Sequence, residues 1–173
     1  MGDSLITIIA IFLAAILMFV FPLMSISERN DDIAQLGVYT ATVEFVDNVS
    51  TIGKITVEDY DAFMQSLAAT GNSYDVEIEV KVLDENPGKK TTWAVQDKIG
   101  ENIYYSVYTS QIEDVLYSNN KYILKEGDIV TVSVKNTNTT ISQMLRNFFY
   151  TVSGKDTYQI AAKHAAMVKS NGN

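Results

Sequence analysis

Three regimes of apolar and polar residues follow one another along this chain. Residues 5–23 read LITIIAIFLAAILMFVFPL, nineteen positions without a charge. As a helix rising ~1.5 Å per residue, this run is about 28 Å long, close to the ~30 Å hydrocarbon core of a bilayer. A charged patch, Glu28 to Asp32, closes it. Apolar residues then return at Ile33, Leu36, Val43, Val46, Val49 and Ile52. Spacings of three and seven are helical, and Gly53 supplies a stop. The pattern predicts one helix of about 50 residues, apolar all round in its first half and amphipathic in its second. Two helices broken near residues 27–31 fit the same pattern.

Shorter periods begin at Thr56. Thr56 and Asp59 form a capping box, and Val57, Tyr60, Phe63, Met64, Leu67 and Ala68 make the inner stripe of a helix that Gly71 closes. Tyr74, Val76, Ile78, Val80 and Val82 alternate with Asp75, Glu77, Glu79 and Lys81, the signature of a strand with one dry face and one wet face. Residues 84–88 read as a turn. Ile103 to Tyr108 is strand-like, and Trp93 is either core or an exposed contact. Ser110 and Gln111 to Glu113 read as a second capping box, opening a helix with Ile112, Val115 and Leu116 inward and ending at Asn119-Asn120. A turn over Lys125 to Asp128 leads to a second alternating strand, Ile129 to Lys135. Thr140 and Gln143 open a third short helix with Ile141, Met144, Leu145, Phe148 and Phe149 at helical spacing; Phe148 and Phe149 read as core, the alternative being exposure to a partner. A strand over residues 157–169 and a polar tail follow. The predicted fold class is α+β: a long N-terminal transmembrane and stem helix, then a mostly antiparallel β-sheet domain with short helices packed on one side.

Charge narrows the partners. The chain carries −8, and Asp3 is the only charged side chain before Glu28, so residues 28–173 carry −7. Nucleic acid is not expected, because phosphate binding needs clustered Lys and Arg. Lys89-Lys90, beside Pro87-Gly88, reads as a solvated turn. There is no cysteine, which removes disulfides, thiol nucleophiles and Cys-ligated metals. His164 is the only histidine; two-His metal motifs are impossible, and in an apolar strand it reads as a packed or edge residue. Asp75, Glu77 and Glu79 read as a solvated strand face rather than an acid–base pair. Asn48 and Asn138 stand in glycosylation sequons that carry little weight. No glycine-rich phosphate loop and no EF-hand pattern is present in the sequence. The expectation is a protein that is not an enzyme, without cofactor, metal or small-molecule substrate.

The apolar run can be a plain anchor, the stem of a larger assembly, or a secretory signal cleaved after Ser25-Ile26-Ser27, although it is long for a signal and lacks a basic start. Arg29 is the only basic residue within about 20 residues of the run, which by itself leans towards a cytoplasmic C-terminus.

The chain as a whole resembles the pilin-like proteins of Tad-type, type IV pilus-like systems of Gram-positive anaerobes. The residues carrying the resemblance are the immediate apolar helix, the stem from Asn30-Asp31-Asp32-Ile33 through Ala41 to Val46, Ile55 to Gly71, Tyr74 to Glu79, and Met144 to Phe149. The resemblance implies a single-pass membrane protein with its domain outside the cell, against the lean of Arg29. It also implies assembly with other pilin-like subunits and an assembly platform through the N-terminal helix. Leu5, Ile9, Phe12, Ala15, Ile16, Phe19 and Pro22 would form the membrane and assembly face. Gly2-Asp3 is the position that matches prepilin processing. No basic leader precedes Gly2, and Thr7 stands fifth from Asp3, where many type IV pilins carry a glutamate. These departures point to a minor or unprocessed pseudopilin. The expected layout is a transmembrane segment over residues 1–27, a stem helix over 28–55 and an extracytoplasmic α+β domain over 56–173. The alternative is a membrane-tethered binding or sensor module using a cleft around Trp93 and Tyr104 to Tyr108. A break after Ser27 would favour it.

Overall fold

The computed structural model describes residues 2–84, 104–150 and 159–172, with backbone alone for 2–3 and 148–150. Trp93, the Lys89-Lys90 pair, most of the turn at 84–88, and the side chains of Phe148 and Phe149 lie outside the described residues.

α1 (Gly2–Ile52) is a single helix of 51 residues, about 75 Å long, so the two-helix alternative does not hold. Pro22 lies inside it; a proline removes one i→i−4 bond without ending a helix that is otherwise held. Gly53 ends α1 at φ +77°, its N–H donating to Val49 O at 2.8 Å. There follow β1 (Lys54–Thr56), α2 (Val57–Ala68), β2 (Tyr74–Leu83), β3 (Tyr104–Tyr108), α3 (Thr109–Asn119), β4 (Lys121–Ile123), β5 (Ile129–Asn136), α4 (Ile141–Tyr150) and β6 (Ala161–Met167). β1 and β4 pair as a small two-stranded sheet, and a second sheet has the order β3-β2-β5-β6. Every pairing is antiparallel. The class is α+β, as the pattern predicts.

The sheet has one dry face. Val76, Ile78 and Val80 of β2 lie opposite Val134, Val132 and Val130 of β5, and these face Ala162, His164 and Ala166 of β6. The other face pairs Asp75 with Lys135 and Glu77 with Ser133, and is open to water. α1 covers the dry face. Ala34, Val38, Phe45, Val46 and Val49 share one core with the strand valines, with Tyr60, Phe63 and Leu67 of α2 and with Ile112 and Leu116 of α3. Phe45 and Phe63 stack with ring centres 4.5 Å apart. Tyr60 donates to Glu113 Oε1 at 2.7 Å. Burial, reinforced by that carboxylate, pushes its phenol well above the usual range, so the proton stays on.

Polar ties fasten α1 along its length. Glu28 Oε1 meets Arg146 Nη2 of α4 at 2.9 Å. Asp31 Oδ2 accepts from the Thr140 hydroxyl at 2.8 Å. The Gln35 side-chain amide donates to Ala161 O at 2.7 Å and accepts from Ala161 N at 2.9 Å, so it stands in for a strand neighbour at the start of β6. Asp47 Oδ1 lies 3.3 Å from His164 Nε2. The C-terminal residues complete the fastening rather than trailing as a free tail. Lys169 N donates to Ser50 O at 2.8 Å and Gly172 N to Leu124 O at 3.1 Å, while the Ser170 hydroxyl donates to Thr51 O at 2.6 Å. The last carbonyls of α1, which no helix can satisfy internally, are thus used. At the adjacent turn the buried Asp128 carboxylate accepts from Leu83 N at 3.1 Å and Lys125 N at 2.9 Å.

Several expectations fail in phase. Ile33 and Leu36 are not core: they are 60% and 66% exposed, and Ile52 is exposed as well. The buried stripe of α1 runs instead through Ser27, Asp31, Ala34, Val38, Thr42 and Phe45 to Val49. Apart from Phe45, which stacks on Phe63 of α2, these are small or short side chains. Ala68 is exposed, since α2 ends there. Val115 is exposed because the side of α3 that meets the core carries Ile112 and Leu116; α3 begins one residue before Ser110, capped at Tyr108, whose backbone N–H donates to Gln111 Oε1 at 3.2 Å. Ile141 and Met144 point outward, and the face of α4 turned inward carries Ser142 and Gln143. The Thr140–Gln143 capping box is present in both directions, at 3.0 and 3.2 Å.

Gly53 and Gly71 both hold positive φ, at +77° and +79°, but only at Gly53 would a Cβ meet backbone, that of Ser170 and Gly172. Gly71→Ala should cost about 1–2 kcal/mol, the left-handed penalty alone. Gly53→Ala should cost distinctly more, because the C-terminal residues must move. Thermal unfolding of the two variants in mild detergent measures the difference; equal losses would show that the C-terminal packing adds nothing.

Candidate membrane and assembly helix

From Ser27 onward α1 is bound into the domain; towards the chain start its described residues are exposed, apart from the half-buried Leu17, Val20 and Met24. Leu5, Ile9, Phe12, Ala15, Ile16, Phe19 and Pro22 recur at intervals of three and four, apart from the adjacent Ala15-Ile16 pair, and so share one side of the helix. All are exposed, Phe12 at 69% and Phe19 at 76%. The other sides are no more polar: Ile6, Ile8, Ile11, Leu13, Met18 and Phe21 are exposed too. Gly2 and Asp3 form the first turn, and only their backbone is described.

None of the most apolar 18-residue window of this helix is buried. A helix that is apolar all round needs an apolar surround. Left in water, each of its large side chains forgoes roughly 1.5–3 kcal/mol of burial. One helix near the N-terminus is therefore long and apolar enough to cross a membrane. A long N-terminal apolar helix running into an antiparallel sheet domain is pilin-like in general shape.

The exposed apolar surface does not stop at Leu23. Ile26, Ile33, Leu36 and Tyr39 continue it down the outer side of the stem. Ile33 and Leu36 belong to the apolar spacing that marks the second half of the helix as amphipathic. The competing stripe Ala34, Val38, Thr42, Phe45, Val49 has its own three–four rhythm, and its presence in the sequence was the signal that two faces, not one, carry apolar residues.

Elsewhere the chemistry is spare. Among the described residues no three His, Cys, Asp or Glu side chains are grouped to hold a metal ion. His164 is half-buried on the edge strand β6 beside Asp47, as a packed edge residue. An open recess of about 850 Å³ at the far end of the domain is lined by Lys125, Gly127, Met167 and Asn171 among others. Tyr105 and Tyr108 of β3 are half-exposed at the sheet edge. No family model, curated protein or solved structure matches the chain.

Ala15→Asp puts a charge near the middle of the apolar run, which disfavours insertion by about 2.5–3.5 kcal/mol. The expected result is loss of the protein from the membrane fraction with an unchanged melting temperature of the domain, since Ala15 touches no part of it. A variant that sediments with membranes as the parent does, and resists alkaline carbonate, would contradict the spanning assignment.

Proposed function

We propose that this chain is a membrane-anchored, pilin-like structural subunit. Its N-terminal helix holds it in the bilayer as a single pass and packs against the same helix of other subunits in a Tad-like, type IV pilus-like filament or secretion machine. The domain stands on the extracytoplasmic side, and the protein acts by assembly rather than by catalysis. The Gly2–Asp3 bond is the place for prepilin processing.

The observation that carries this reading is the division of α1. One unbroken helix has a lower half fixed into the domain and an upper half whose large apolar side chains are mostly exposed. Helices associate in lipid by close packing of side chains rather than by escape from water, so a uniform apolar rod suits repeated side-by-side contact. The unbroken passage through residues 27–31 supports assembly over the alternative of a tethered binding module, which would gain from a flexible joint there.

Because the chain has no cysteine, single-cysteine variants report contacts without background. Oxidation in native membranes of Leu5→Cys, Ile9→Cys, Phe12→Cys, Ile16→Cys and Phe19→Cys should give disulfide-linked dimers or products with partner subunits, strongest on one side of the helix. Monomer at all five positions, with the protein in the membrane, would refute assembly through this helix.

A further inference from the structure

The turn between α2 and β2 and the segment that enters α4 meet the same stretch of α1. Ser27, Asn30 and Asp31 stand at i, i+3 and i+4, so they share one side of that helix. With Asn72, Asn138 and Thr139 they line a recess of about 300 Å³. Its far wall is held by the protein itself. Asn138 Nδ2 donates to Asn72 Oδ1 at 2.9 Å, Ser73 N donates to Asn138 Oδ1 at 2.9 Å, and Thr137 N donates to Ser73 O at 2.8 Å.

Two groups in the recess lack what burial demands. Asp31 is 6% exposed, and the one hydrogen bond of its carboxylate is that of Oδ2 with the Thr140 hydroxyl. No Lys, Arg or His pairs with it among the described residues. Buried charges are as a rule paired or bound to a metal, and a neutral hydroxyl supplies no charge. Ser27 is also 6% exposed, and its hydroxyl has no hydrogen-bond partner among the described residues, which is the exception for a buried polar group. Neither Asp31 Oδ1 nor Ser27 Oγ is sealed from solvent. Asn30 and Thr139, at the open side, have no side-chain partner among the described residues either.

The donor set selects the ligand. No Lys, Arg or His lines the recess; its side chains offer oxygen from one carboxylate, from carboxamides and from hydroxyls. An irregular, all-oxygen surround with a negative charge suits calcium, which takes 6–8 oxygens in flexible geometry, whereas magnesium demands a tighter octahedron. We propose that this recess is a calcium site. Asp31 Oδ1, the Asn30 carboxamide oxygen and the Ser27 and Thr139 hydroxyls are its protein ligands, and water completes the shell. A single carboxylate places the affinity at the weak end, at about 10⁻⁴–10⁻³ M. The ion links α1 to the segment entering α4, where the stem leaves the domain, and stiffens that joint. It needs no partner subunit, so it stands apart from the filament reading.

Titration of CaCl2 into the isotope-labelled full-length chain in phosphatidylcholine nanodiscs tests the site through the amide resonances of Asn72, Thr139 and Thr140. The expected result is a saturable shift confined to the recess, with half-saturation at about 10⁻⁴–10⁻³ M and no saturation by MgCl2 over the same range. Asp31→Asn should abolish it. That change also touches the bond to Thr140, so Ser27→Ala is the second variant. It removes only an unpartnered hydroxyl; it should leave the melting temperature without calcium unchanged or raised, and weaken calcium binding several-fold. A shift that grows linearly without saturating would overturn the site. Parental affinity in Ser27→Ala would overturn the ligand set. Equal saturation by MgCl2 or by ethylammonium chloride would mean a general cation pocket and overturn the calcium assignment.

Discussion

The valine face of the four-stranded sheet has to be covered, and α1 covers it. Val130, Val132 and Val134 of β5 and Ile78 and Val80 of β2 are at most 1% exposed, under a helix that presents Ala34, Val38, Thr42, Val46 and Val49. Without α1 that face would be open to water, and an antiparallel sheet with one unshielded apolar face is not a stable layer. The helix lies close because its inward residues are small. Thr42 adds no unpaired polar atom, since its hydroxyl donates to Val38 O at 2.7 Å. This contact fixes both the direction and the rotation of α1. The apolar half, continuous with it, inherits both.

The ties at Glu28, Asp31, Gln35 and Asp47, with the C-terminal residues at Ser50 and Thr51, keep the stem from pivoting. Individually these are modest: a partly exposed ion pair is worth about 0–1 kcal/mol, and a neutral hydrogen bond about 1 kcal/mol. Their distribution matters more than their sum. They reach from the last turn of the helix to within five residues of the apolar run, so no free joint separates the domain from the proposed span. A pull or twist applied to the apolar half passes directly into the sheet, which is what a subunit held in an assembly by one helix requires.

Much of this architecture is legible in the sequence. The uncharged run, the alternation from Tyr74 to Val82, the strand from Ile129, and the Thr56 and Thr140 caps all stand where local chemistry puts them, because each depends on neighbours within a few residues. The phase of the stem is not legible. Ile33 and Leu36 look more like core than Ala34 and Thr42, and only the nearness of the sheet reverses the choice. β1 and β4, three residues each, exist because they pair with one another across the chain. The role of Gly172 depends likewise on Leu124, which sequence spacing cannot bring near. At the candidate site, the apolar face from Leu5 to Pro22 was readable because composition alone defines it. Its extension through Ile26 and Tyr39 emerges only once the opposite face is seen to be occupied.

The central claim is that one helix serves both halves. Its most direct measurement is the distance between spin labels at Leu13→Cys and Thr40→Cys, both exposed positions, in the intact protein reconstituted in a bilayer. An unbroken helix places them 27 residues apart along one axis, and the account predicts a single narrow distance distribution near 40 Å. A broad distribution, or a maximum well short of that value, would mean that α1 breaks between the membrane and the domain, and the account of a continuous stem would be wrong.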